Sequence, residues 1–228
     1  MQDLKRIVCL ANSRKLHGRC IAGREWNDGQ AGRWIRLVSN REHQEVSEYE
    51  RQYEDGSDPR VLDVIDIPVA DPCPRSFQSE NWLLDPDYYW EKVGRLSWFD
   101  LPELTDPAAR LWLDGHSTYH GRNDKIPLEI VDSVKDSLKL VHVDDLQLSV
   151  FKPGEAFGNT KRRVQGRFSH GGNGYCLWVT DPAYERQYLA KLDGTYSVGE
   201  CFLTVSLGEP FGGAVYKLIA SIIEGQHR

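Results

Sequence analysis

Apolar residues recur along this chain in short runs bounded by Gly, Asn, Asp, Ser and Pro, which is the punctuation of β-strands rather than of long helices. LKRIVCLA (4–11) is a buried-type run, GRCIAGRE (18–25) is a shorter one, and RWIRLVS (33–39) alternates apolar with polar positions. REHQEVSEYERQYEDG (41–56) breaks the pattern. Rich in Glu, Gln and Arg, free of proline and closed by Gly56, it predicts an exposed, polar helix. RVLDVIDIPV (60–69) returns to strand composition. The same order then repeats: SLKLVHV (137–143), KRRVQGRFS (161–169) and YCLWVT (175–180) read as strands. DPAYERQYLAKL (181–192) reads as a helix opened by an Asp181 cap and a proline at its first position. CFLTVSL (201–207) and AVYKLIASII (214–223) are strands again.

Three strands, a helix and two closing strands is the element order of the OB-fold, a small five-stranded barrel. The second half of the chain supplies all five strands. The first supplies four, and its fifth is expected from 94–113, in GRLSWFD or ARLWLDG. Between the halves, 71–127 holds six of the eleven prolines and four of the seven tryptophans, which argues for irregular, aromatic-stapled packing. The expected fold class is mainly β: two tandem OB-like five-stranded barrels with short helices and an irregular aromatic-rich connection. The expected division is a first domain at 1–115, an interdomain loop at 116–135 and a second domain at 136–228. KRIVCLANSRKLHGRCIAG, followed by GRWIRLVS, YEDGSDPRVLDVIDIP, ENWLL and the closing FGGAVYKLIASII, resembles the bacterial family of dual OB domain-containing proteins. That resemblance spans nearly the whole chain. It implies a fold and brings with it no catalytic residues and no substrate.

No apolar stretch approaches the roughly 18 residues of a membrane span, and MQDLKRIVCL lacks the apolar block of a signal peptide. The expectation is a cytoplasmic protein with no membrane association. Cys9, Cys20, Cys73, Cys176 and Cys201 form no C-x-x-C pair, so they read as small core residues, with no metal and no cofactor called for. A net charge of −6 argues against a protein that coats nucleic acid indiscriminately. The distribution is more informative. Residues 1–41 carry nine Lys or Arg against three acids, 42–115 six against eighteen, and 116–228 thirteen against thirteen.

OB barrels bind ligands on the face of their second and third strands, framed by the 1–2 and 4–5 loops. NSRKLHG (12–18) is the expected 1–2 loop of the first barrel. Arg14, Lys15 and Arg19 would then stand at the groove rim, with Asn12 and Ser13 able to hydrogen-bond a phosphate or base. Alternation puts Trp34 and Arg36 on one face of the third strand. Facing outward, they make a stacking platform and a phosphate contact, extended by Arg24; facing inward, Trp34 is core. In the second barrel Lys161, Arg163, Gln165 and Arg167 share one side of a strand, either as a ligand face or as a charged edge that discourages aggregation. DGHSTYHGRND (114–124) offers His116, His120 and Asp124 as weak catalytic or metal candidates, although Gly115 and Gly121 disfavour the helix that a paired-histidine site needs. The leading expectation is a non-enzymatic accessory protein that binds single-stranded DNA or RNA, or a nucleotide-like anion, in nucleic-acid processing or mobile-element defence. The alternatives are a protein-interaction scaffold or self-associating protein using Trp82, Tyr88, Tyr89, Trp90, Trp98 and Phe99, and a nucleotide hydrolase built on 114–124.

Overall fold

The computed structural model describes residues 3–225 and divides into two compact units. The first comprises the chain through Leu104 with the short return segment Lys135–Ser137; the second comprises Thr105–Val134 and the chain from Leu138 onward. The 105–134 stretch, split by the sequence pattern between a first-domain extension and an interdomain loop, therefore packs with the second barrel. Leu111 lies fully buried in that barrel's core.

In the first unit the strands are β1 (Asp3–Lys15), β2 (Gly18–Asn27), β3 (Gln30–Val38), β4 (Asp63–Pro72), β5 (Asn81–Leu84) and β6 (Glu91–Arg95). Antiparallel pairs β1–β2, β2–β3, β5–β4 and β4–β1 are joined by one parallel pair, β3–β5, so five strands close on themselves in the order 1-2-3-5-4. Period-two alternation turns Ile7, Cys9, Ile21, Ile35, Leu37, Ile65 and Ile67 into the barrel core. β6 extends the sheet along β4.

Two expectations are corrected here. The 41–56 segment forms a helix only at α1 (Glu48–Arg51), capped by Ser47 in a reciprocal box with Glu50. A polar helix without an apolar stripe gains no packing energy, and Val46 instead pairs its backbone with Arg19 and is fully buried. The closing strand is NWLL of β5, not a segment of 94–113. GRLSWFD contributes only the end of β6 before a 3₁₀ helix at Trp98–Leu104, and ARLWLDG belongs to the second unit. Of the middle aromatics, Trp90 is buried and Trp82 is half-buried beneath the Lys5 ammonium, whereas Tyr88, Tyr89 and Phe99 are exposed.

The second unit contains β7 (Lys125–Pro127), β8 (Leu138–Phe151), β9 (Arg163–His170), β10 (Asn173–Val179), α2 (Pro182–Leu189), β11 (Gly194–Leu207) and β12 (Ala214–Glu224). β8–β9, β9–β10, β12–β11 and β11–β8 are antiparallel and β10–β12 is parallel, which is the same closed order as in the first barrel. Val141, Leu148, Val164, Leu177, Leu203 and Ile219 fill the interior. Asp181 caps α2 by accepting from the Ala183 and Tyr184 N–H groups, and its other oxygen accepts from Ile222 in β12, which pins the helix to the barrel. Among the described residues no helix is long and apolar enough to cross a membrane.

A buried carboxylate gathers polar partners in the first barrel. Asp63, only 1% exposed, accepts from the Tyr53 hydroxyl at 3.1 Å and the Arg60 N–H at 3.0 Å, and its other oxygen takes Lys92 at 2.8 Å and Arg95 at 2.7 Å. Burial by itself pushes this carboxyl up, but Lys92, the Arg60 N–H and Arg95 outweigh burial and hold it below the ordinary carboxylate value. A depressed folded-state value means stabilisation that is complete above the unfolded-state value and lost as pH falls through the folded one. Asp63→Asn is expected to cost about 1.5–3 kcal/mol at neutral pH. In acid melts the gap between parent and variant should shrink below the ordinary carboxylate value, as followed by circular dichroism.

Candidate nucleic-acid interface

The expected 1–2 loop of the first barrel is mostly strand. β1 runs to Lys15 and β2 starts at Gly18, leaving Leu16 and His17 as the turn, with Leu16 at φ 49°. Arg14 and Arg19 sit directly opposite each other across this hairpin, and Lys15 opposes Gly18. Asn12 is turned inward, donating to the Pro59 carbonyl at 2.9 Å, and Ser13 is buried, donating to the Cys20 carbonyl at 3.4 Å. Both are therefore structural groups rather than rim contacts.

Trp34 and Arg36 do lie on the face opposite Ile35 and Leu37, as alternation requires, but they are only 9% and 4% exposed. The Arg36 guanidinium pairs with buried Glu80 at 3.8 Å and donates to the Ser137 carbonyl at 3.4 Å. Glu80 in turn accepts from the Ser137 N–H and hydroxyl. Arg36 thus ties the return segment to its barrel. Arg24 lies 5.4 Å from the Trp34 ring and donates to the Gly32 carbonyl at 2.9 Å. In this arrangement the Trp34 face offers no stacking platform.

The corresponding face of the second barrel is different. The β9–β10 hairpin turns through Gly171 and Gly172, both at positive φ, and a Cβ on Gly171 would collide with the Ala109 carbonyl. His170, at the end of β9, donates to the Ala108 carbonyl at 2.7 Å. This tight turn sets the register, so Gln165 opposes Trp178 and Arg167 opposes Cys176. Val164 and Phe168 point into the core, which leaves Arg163, Gln165 and Arg167 on the outer face beside Cys176 and Trp178. The Arg163 guanidinium lies over the Trp178 ring at 3.9 Å from its centroid, and Trp178 stacks on Phe151 at 5.7 Å.

The 114–124 segment is laid across this face. Arg122 and Cys176 exchange backbone hydrogen bonds, and Gln165 donates to the His120 carbonyl. Between segment and barrel opens a cleft of about 590 Å³, lined by Tyr119, Arg122, Gln147, Arg167 and Cys176 among others. Tyr119 is 96% exposed, and Arg122 and Arg167 are exposed as well. Burial pushes the Cys176 thiol up, opposed by the charge and hydrogen bond of Arg167.

What holds the segment down is a buried ion pair. Lys217, wholly buried on β12, donates to the Leu113 carbonyl at 2.6 Å and to Asp114 at 3.1 Å, while the other Asp114 oxygen accepts from the Tyr175 hydroxyl at 3.0 Å. Burial pulls the Lys217 ammonium below its ordinary value, and Asp114 counters that pull. Burial, then the charge of Asp114, push the Tyr175 hydroxyl up to about 12.

The three weak catalytic candidates do not converge. Asp124, buried, accepts from the Thr118 N–H and hydroxyl at 2.7 and 2.6 Å, a fold that needs Gly121 because a Cβ there would strike the Asp124 carboxyl. His120 donates through Nε2 to the Pro153 carbonyl at 2.9 Å and packs its ring against Phe151. His116 accepts from the Lys125 N–H through its backbone oxygen. Among the described residues no three His, Cys, Asp or Glu side chains gather to hold a metal ion.

A second depression, in the first unit, is walled by Glu54, Asp55, Asp58 and Glu91 against Arg60 and Lys92 and is therefore unsuited to a phosphate. Residues of this cleft and face that the sequence pattern did not single out as contacts include Tyr119, Asp144, Asp145, Gln147, Cys176 and Trp178. The Gly171–Gly172 turn held the signal for Cys176 and Trp178, since counting outward from it along both strands places them opposite Arg167 and Gln165.

Closed 1-2-3-5-4 barrels occurring twice agree with a family model described as a dual OB-containing domain, which matches residues 5–222; the chain belongs to that family. No curated protein matches the chain.

Asp114→Asn is expected to deprive buried Lys217 of its hydrogen-bonded counter-charge, leaving only the more indirect charge of Asp124, and to lower stability by about 3 kcal/mol. Glu155→Gln, on an exposed i,i+3 pair, should change it by less than about 0.5 kcal/mol. Urea unfolding of both variants checks the contrast.

Proposed function

We propose that this dual-OB chain binds single-stranded nucleic acid or a nucleotide-like anion, as a binding module and not a catalyst, with its principal contact on the β9–β10 face of the second barrel. One observation carries the reading: Arg122 and Arg167 line a cleft whose lip is the exposed Tyr119 ring, on the face that OB barrels use for ligands. Two guanidinium groups supply salt-sensitive attraction for phosphates, and an open aromatic face stacks a base of any identity. Arg163 over Trp178, whose ring stacks on Phe151 of β8, extends a cationic, aromatic surface beside the cleft. Arg14, Lys15 and Arg19 at the first barrel's hairpin are a second candidate phosphate contact. Cytoplasmic work on nucleic acid, including defence against mobile elements, is compatible with this activity.

A partner-binding reading has one observation of its own, the exposure of Tyr88, Tyr89 and Phe99 in the first unit. It predicts association that is indifferent to the cleft arginines.

Fluorescence anisotropy with single-stranded DNA and RNA across a salt series tests the proposal. Arg122→Ala/Arg167→Ala should weaken binding at least tenfold at low salt and reduce the slope of log K against log salt by roughly 1.4. Tyr119→Ala should cost about 1–3 kcal/mol with little change in slope. Absence of binding by the folded parent at low salt would refute the proposal.

A further inference from the structure

The cleft on the second barrel is not uniformly positive. Asp144 and Asp145, both exposed, line the same cleft as Arg122 and Arg167. Consecutive strand residues ordinarily point to opposite faces, so two neighbouring side chains cannot share a rim unless the strand is interrupted. It is interrupted here. Val143 pairs with Cys201 and Leu146 with Gly199, so Asp144 and Asp145 of β8 oppose the single residue Glu200 of β11. This is a β-bulge, the device that re-aims side chains at the edge of a site. Gln147, the next residue to face the cleft, donates to Asp145 at 3.3 Å and steadies that carboxylate.

Two carboxylates repel a phosphate, so a surface serving only a phosphate chain gains nothing from them. They are useful to a ligand that brings N–H donors beside its anionic group. Among the nucleobases, guanine alone presents two adjacent donors, N1–H and the 2-amino group, on its Watson–Crick edge, which a carboxylate accepts together. Adenine and cytosine place a ring acceptor beside their amino group, and uracil and thymine flank N3–H with two carbonyl oxygens. Each of those edges sets an acceptor against the carboxylate.

We propose that the bulge makes this cleft selective for a guanine nucleotide unit, with the base edge donating to the Asp144–Asp145 pair, the ring on Tyr119 and the phosphate on Arg122 and Arg167. This rests on the nucleic-acid reading above and narrows it from any base to one.

The test uses the full chain and thymine heptamers carrying one central guanine, adenine or cytosine, with the all-thymine heptamer as reference. The guanine heptamer should bind about fivefold or more tightly than the other three. In Asp144→Asn/Asp145→Asn that ratio should fall to within about twofold, while affinity for the all-thymine strand holds or rises because negative charge has been removed. Both aspartates are solvent-exposed, so an unchanged melting temperature shows the variant folded. Displacement of the guanine heptamer by guanosine monophosphate and not by adenosine monophosphate identifies the free nucleotide as sufficient; displacement only by a guanine-containing strand identifies the strand as the ligand. Equal, Arg167-dependent binding of all four heptamers overturns the guanine assignment and leaves the binding function standing. A preference abolished by EDTA in the parent also overturns it, because the carboxylates would then act through a bridging divalent cation. Failure of every heptamer to bind at low salt overturns both.

Discussion

Each barrel closes through one short parallel pairing, and the rest of the structure depends on it. In the first, Arg36, Leu37 and Val38 pair with Asn81, Trp82 and Leu83; in the second, Trp178 and Val179 pair with Leu218 and Ile219. Without these few hydrogen bonds the five strands would form an open sheet with two exposed edges, each a template for aggregation. Parallel partners cannot be joined by a tight hairpin. The chain must therefore travel between them, and α2 with β11 fills that interval in the second barrel. Closure also removes choice, because every inward position is then committed to the core and every outward one is left for other work.

How the outward positions are used separates the two barrels. On the first, Trp34 and Arg36 are buried, and Arg36 is spent on Glu80 and Ser137. On the second, the 114–124 segment covers part of the same face and leaves the remainder as a cleft. A buried Lys217–Asp114 pair is an expensive way to fasten a loop, since desolvating both charges offsets much of their attraction. Its geometry is specific, however: the ammonium reaches Leu113 and Asp114 while the Lys217 N–H donates to the Asp124 carbonyl. Both ends of the loop are thereby referred to one residue of β12, and Tyr119 and Arg122 are carried between them.

The charge of the cleft follows from two local events in the backbone. The Gly171–Gly172 turn sets Arg167 opposite Cys176, and the β8 bulge brings Asp144 and Asp145 to one rim. Cation and anion therefore meet within one concavity, although residues 116–228 carry equal numbers of each. An even overall balance conceals a dipolar site.

Strand by strand, the barrels were legible in the sequence because period-two alternation and turn residues are local signals. The five strands of the second half, the Asp181 cap and the outward set of Arg163, Gln165 and Arg167 follow from residues within a few positions of one another. The closing strand of the first barrel was not legible, because NWLL is too short to show a period and its identity rests on pairing with β3, far back in the chain. The 41–56 segment misled for a related reason: its composition suits a helix, but Val46 gains more from burial and from pairing with Arg19. Helix propensity amounts to tenths of a kcal/mol per residue, whereas burying a valine contributes about 1.5–3 kcal/mol. The sequence by itself determined the two barrels, their cores and the polarity of each strand. Only the tertiary structure decided which barrel keeps an open face, because that depends on where Ser137, Glu80 and the 114–124 segment come to rest, and such long-range burial leaves no periodic mark along the chain.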